Sequence, residues 1–105
     1  MIKRDKTLSL VSLAMKAGLC SSGETMTEGE VRSGRARLVI VASDASANTK
    51  KKFQDMCKFY GVPIYIYGDK DTLGHAMGKE FRASLAILDE GFADGIRKAL
   101  NDQIA

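Results

Sequence analysis

Apolar positions along the chain recur with two different periods, and the switches between them mark the elements. Over residues 5–17, Leu8, Val11, Ala14 and Met15 keep helical spacing, which predicts a helix that begins near Asp5 and stops at Gly18. A second helix is predicted over about residues 24–33, ended by Gly34. It is weakly amphipathic, because Met26 and Val31 are its only large apolar residues. Gly29 lies inside it and costs about 1 kcal/mol relative to alanine, so tertiary contacts must hold this helix. Residues 37–43, RLVIVAS, form an unbroken β-branched run, the pattern of a strand covered on both faces. Next, Phe53, Met56, Cys57 and Tyr60 fall at i, i+3, i+4 and i+7, with Lys50, Lys51, Lys52, Asp55 and Lys58 mostly outward and Gly61 as the stop.

The remaining residues repeat the alternation. VPIYIYG reads as a strand with Pro63 near an edge, DKDTLGHAMG as a short helix, and RASLAILD as a second buried strand. EGFADGIRKALNDQ closes the chain with Phe92, Ile96 and Leu100 on one helical face. A further short strand near residues 19–22 fits the pattern. Strands alternating with helices predict an α/β fold, a three-layer α/β/α sandwich with a small mixed central sheet. No linker, repeat or low-complexity stretch divides the chain, so a single domain over residues 1–105 is expected.

Composition narrows the function classes. Hydrophobic residues make up 45% in short, broken runs, which fits a packed core and argues against disorder or a membrane span. The N-terminal MIKRDKTLSL shows no signal-peptide pattern, and Cys20 and Cys57 lack metal-ligand spacing; a reduced, cytoplasmic protein is expected. Net charge is +3, but residues 1–58 hold 11 Lys or Arg against 6 Asp or Glu, whereas residues 59–105 hold 5 against 7. That asymmetry predicts one basic side able to attract a polyanion.

Catalytic chemistry is sparse. His75 is the only histidine and has no nucleophile near it in sequence. Asp69 with Asp71, and Asp89 with Glu90, stand at strand-to-helix junctions, where capping explains them more readily than acid–base work. No metal or cofactor is expected, and the glycines of GDKDTLGHAMG lack the dinucleotide spacing. What remains is a set of small-residue approach points: Gly23 before one helix, Ser43 and Asp44 ending a strand, and Gly74 and Gly78 around a short helix. Loops at one end of an α/β sheet gather into one surface, with Arg35, Arg37 and Lys50–Lys52 as candidate rim cations, although a lysine triplet more often forms a solvated helix face than a phosphate clamp. Ordinary helix caps use the same residue types.

The run LSLVSLAMKAGLCSSGE, then VRSGRARLVIVASDASANTKKKFQDMCKFYGVPIY, then LGHAMGKEFRASLAILDEGFA, resembles the kink-turn RNA-binding ribosomal-protein family, the L-seven-Ae family. Within it the chain looks most like the small bacterial YlxQ-like members. The likeness spans Leu8 to Ala93, and its specificity lies in the ordered combination rather than in any single piece. The resemblance implies an α/β/α sandwich, no enzymatic activity, and binding to a sharply bent RNA containing tandem G·A pairs. It implies contacts from the start of the second helix (Gly23, Glu24, Thr25, Met26), a cation on that helix (Arg32), the strand end (Ser43, Asp44) and the loop before the last strand (Lys79, Phe81, Arg82). Phe81 suits either stacking on an unpaired base or anchoring the loop.

The chain departs from the family at the helix start. Archaeal and eukaryotic members open this helix Gly-x-Asn-Glu with a lysine three residues on. Here Gly23 matches, but Thr25 stands at the asparagine, Met26 at the glutamate and Gly29 at the lysine. Glu24 is the nearby carboxylate, in a different helical register. The expectation is therefore a non-catalytic protein whose partner is structured, kink-turn-like RNA, with ribosomal RNA and the ribosome as the setting. A protein-interaction module on the same fold, with weakened RNA binding, is the alternative.

Overall fold

The computed structural model describes residues 5–104. In chain order these form α1 (Lys6–Lys16), β1 (Cys20–Ser22), α2 (Glu24–Arg32), β2 (Leu38–Val41), α3 (Ala47–Tyr60), β3 (Ile64–Ile66), α4 (Lys70–Ala76), β4 (Ser84–Ile87) and α5 (Glu90–Ile104). Their boundaries follow local chemistry. The Asp5 carboxylate accepts from the Leu8 N–H at 3.0 Å and starts α1, and the Ser46 hydroxyl accepts from the Thr49 N–H at 3.1 Å and starts α3. Gly61, with φ of +73°, ends α3 in the left-handed conformation.

The four strands form one mixed sheet in the order β1-β4-β2-β3. β4 runs antiparallel to both neighbours, with Ser21 and Val39 opposite Ala86, and β2 runs parallel to β3, with Ile40 opposite Tyr65. The central strands β2 and β4 are wholly buried, as their unbroken apolar runs require. α2 and α3 pack together as one outer layer, and α1 packs with α4 and α5 as the other. Phe53, Leu73, Ile96 and Leu100 carry the helices into the core. The expected α/β/α sandwich and the strand at residues 19–22 are both present.

Two details differ from the periodicity. Tyr60, expected on the inward face of α3, is 41% exposed and meets Phe59 edge-on, with ring centroids 5.0 Å apart. The buried face of α3 ends at Cys57, and Phe59 and Tyr60 stand beyond the last residue that the core covers before Gly61 ends the helix. α2 explains its poor amphipathicity by burying polar groups. Thr27 is fully buried and lies within hydrogen-bonding distance of Ser84, and Glu30 is 7% exposed. The Glu30 carboxylate accepts from the Ser21 hydroxyl at 2.6 Å and lies 3.4 Å from the Arg35 guanidinium, so its charge is compensated.

Candidate nucleic-acid interface

Strand direction decides which segments meet. β1, β2 and β3 end, and β4 begins, at the same edge of the sheet, so α2, α3 and α4 all start there beside the 77–83 connection. At this edge Gly23 adopts φ of +92°, which only glycine takes without strain, and its N–H donates to the Ser84 carbonyl at 3.0 Å. Lacking a side chain, Gly23 gives α2 no side-chain cap. The first-turn N–H groups and the positive end of the helix dipole therefore face outward without a side-chain acceptor. Glu24, Thr25 and Met26 on that turn are exposed, Met26 at 57%.

The strand end is exposed but internally engaged. Both the backbone N–H and the hydroxyl of Ser43 donate to the Gly68 carbonyl, at 2.8 and 2.6 Å. The Asp44 carboxylate accepts from the Lys70 N–H at 2.9 Å, tying the β2–α3 corner to the start of α4. In the 77–83 connection, Gly78 takes φ of +71° and the Lys79 N–H donates to the Gly74 carbonyl at 2.8 Å. A Cβ on Gly74 would meet the Glu80 carbonyl oxygen at 2.6 Å and the Phe81 Cα at 2.9 Å, so this connection passes closely over α4 because residue 74 has no side chain. Arg82 stitches the loop to the helix start: its Nε donates to the Ser22 hydroxyl at 3.1 Å and its Nη1 to the Phe81 carbonyl at 2.8 Å. Phe81 is 61% exposed, and with Lys79, Glu80, α1 and α4 it lines an open groove of about 1040 Å³.

Beside this edge, α2 and α3 carry a ladder of ion pairs. Lys52 Nζ lies 2.6 Å from the Glu28 carboxylate and 3.2 Å from that of Glu24, and Arg32 pairs with Glu28 at 3.0 Å. The Thr49 hydroxyl donates to Glu24 at 3.4 Å. Hydrogen bonds from Lys52 and Arg32 hold the Glu28 carboxyl below its usual range, and the bonds that Lys52 gives to Glu28 and Glu24 raise its ammonium.

Nine of the ten residues assigned to the site gather at this sheet edge: Gly23, Glu24, Thr25, Met26, Ser43, Asp44, Lys79, Phe81 and Arg82. Arg32 does not, since it stands about 12 Å further along α2, at its C-terminal end. Arg35 and Arg37, two of the candidate rim cations, lie at the opposite end of the sheet, because the strand that follows them runs from there to the candidate edge. Arg35 pairs with Glu30, and Arg37 hydrogen-bonds the Gly34 carbonyl and approaches Glu90 at 4.0 Å. Lys52, in the lysine triplet of α3, is held in ion pairs whose partners lie 24 and 28 residues away in sequence. Only the side-by-side packing of α2 and α3 reveals them.

Two of the carboxylates weighed for catalysis cap helices. Asp69 caps α4 through a reciprocal box with Thr72, whose N–H bond to the carboxylate holds that carboxyl low. Asp89 accepts from the Phe92 N–H at 2.9 Å, and His75 is exposed in the last turn of α4. Burial pushes the Cys20 thiol up to about 12 and the Cys57 thiol to about 11, so both are protonated at neutral pH. Among the described residues no group of His, Cys, Asp and Glu could hold a metal ion, and no helix is long and apolar enough to cross a membrane.

Comparison with known proteins adds a family context. The profile of the ribosomal protein L7Ae/L30e/S12e/Gadd45 family matches residues 5–96. The chain is 40% identical over 92 residues to RNA-binding protein YlxQ of Bacillus subtilis (strain 168), covering 88% of this chain and 92% of that one. A solved protein of unknown function from Bacillus halodurans C is similar with a TM-score of 0.90 and 36% identity, over 93% of this chain and 99% of that one. The 15.5kD RNA binding protein of Giardia lamblia shares the fold, with a TM-score of 0.80 at 23% identity, over 92% and 83% of the two chains.

Proposed function

Since the chain belongs to the ribosomal protein L7Ae/L30e/S12e/Gadd45 family, as a member similar to the bacterial YlxQ proteins, we propose that it is a non-catalytic RNA-binding protein. The RNA we propose is structured and of kink-turn type, with ribosomal RNA as its setting and the cytoplasm as its location. One observation carries the reading. The uncapped start of α2, the Ser43–Asp44 corner and the 79–82 loop, far apart in sequence, share one sheet edge and are cross-tied by Arg82–Ser22 and Asp44–Lys70 hydrogen bonds. Such a rigid edge supplies helix-start N–H groups and cations to a bent backbone, and Phe81 supplies a ring for an unpaired base. Among the described residues, Lys79 and Arg82 are the cations of the loop itself.

Base readout is reduced. Thr25 and Met26 offer one hydroxyl and one weak sulfur acceptor where an amide and a carboxylate would read base edges, and each lost contact costs on the order of 1–3 kcal/mol. Shape and backbone contacts therefore carry most of the discrimination. A gel shift with a kink-turn RNA, against the same RNA with its G·A pairs disrupted, tests the reading at physiological salt. Tighter binding of the kink turn is expected, and equal binding would leave only charge. The alternative of a protein-interaction surface draws on Met26, whose exposed thioether suits a protein contact better than a base edge.

A further inference from the structure

Resting on this RNA reading, we infer that Glu28 is a specificity-determining residue: by holding Lys52 and Arg32 in ion pairs, it withholds two cations from phosphate backbones in general. Glu24, Glu28 and Arg32 follow at four-residue spacing, so they line one edge of α2, and Lys52 reaches across to them from α3. Lys52 meets Glu28 at 2.6 Å and Glu24 at 3.2 Å, and Arg32 donates to Glu28 through Nε at 3.2 Å and Nη2 at 3.0 Å. These side chains remain partly or mostly exposed, so the pairs contribute little to folding stability. Their larger consequence is electrostatic.

A polyanion gains affinity from every lysine or arginine that releases its counterions, whatever its sequence or shape. Lys52 on α3 is partly exposed and Arg32 at the far end of α2 is mostly exposed, both outside the candidate edge, where an RNA of any shape can reach them. With Glu28 present, a phosphate must displace a carboxylate to use either cation. An RNA that fits the α2 start, the Ser43–Asp44 corner and the 79–82 loop needs neither. Glu28 therefore lowers charge-only binding while sparing shape-dependent binding.

Glu28→Gln keeps the side-chain shape and removes the charge. The full chain and this variant are compared by fluorescence anisotropy on a kink-turn RNA and on its G·A-disrupted control, across a salt series. For the control, E28Q is expected to raise affinity about three- to tenfold at ~0.1 M salt and to steepen the log–log salt slope by about one. Kink-turn affinity should move less than about twofold, so the preference narrows. Adding Lys52→Gln to E28Q should remove much of the gain. Unchanged affinity and slope on the control, or an equal rise on both RNAs, would overturn the role of Glu28. Equal binding of both RNAs by the unaltered protein would instead overturn the kink-turn reading, and the E28Q slope on the control still decides the electrostatic role.

Discussion

Among single residues, Arg82 and Gly29 give the most direct handles on the site. The Arg82 fork connects Ser22 and the Phe81 carbonyl, so it orders the loop against the α2 start as well as supplying charge. Arg82→Ala should weaken kink-turn binding about fivefold or more, the loss expected when a cation and its hydrogen bonds are removed from the proposed interface. Arg82→Lys, with the charge but without the planar fork, should recover only part of this; unchanged affinity of the alanine variant would remove the loop from the interface. At Gly29 the geometry is free: the residue is exposed, and an added Cβ would meet nothing within 4 Å. Gly29→Ala should therefore stabilise the protein by about 0.5–1 kcal/mol in urea unfolding. A lower midpoint would show that α2 needs flexibility there.

Gly74 in α4 shows why glycine identity cannot be argued from helix propensity alone. Alanine would favour the helix by up to about 1 kcal/mol, but its Cβ would stand 2.6 Å from the Glu80 carbonyl oxygen, a backbone atom with little room to yield. The clash wins: Gly74→Ala should destabilise by about 1–3 kcal/mol and displace the 79–82 loop, read as a lower urea midpoint together with weaker RNA binding. A variant as stable as the parent would mean the loop is not held this way. Element by element, the sequence was most informative where burial is one-sided or complete. The RLVIVAS run and the Phe53–Cys57 spacing named their strand and helix because apolar burial alone shapes them. Polar burial escaped the pattern: Thr27 and Glu30 face inward on α2 through contacts with Ser84 and Ser21 that no periodicity shows.

For the whole molecule, strand direction is the organising fact. It sends Arg35 and Arg37 to the end opposite Ser43 and brings Gly23, Asp44 and Arg82 together, so the cations near Gly34 in sequence are remote from the candidate surface. The small-residue approach points were legible in sequence, whereas the pairing of Lys52 with Glu24 and Glu28 was not, because it depends on two helices packing side by side. The basic balance of residues 1–58 is correspondingly less available than its count suggests, since Lys51, Lys52, Arg32 and Arg35 are in ion pairs. The measurement that tests the central claim most directly is a backbone-amide NMR titration with a kink-turn RNA. Shifts concentrated at residues 23–26, 43–44 and 78–82, with residues 34–37 and the exposed Phe59–Tyr60 pair unmoved, are the predicted result. Shifts centred on Arg35–Arg37 or on Phe59–Tyr60, with the sheet edge silent, would contradict it.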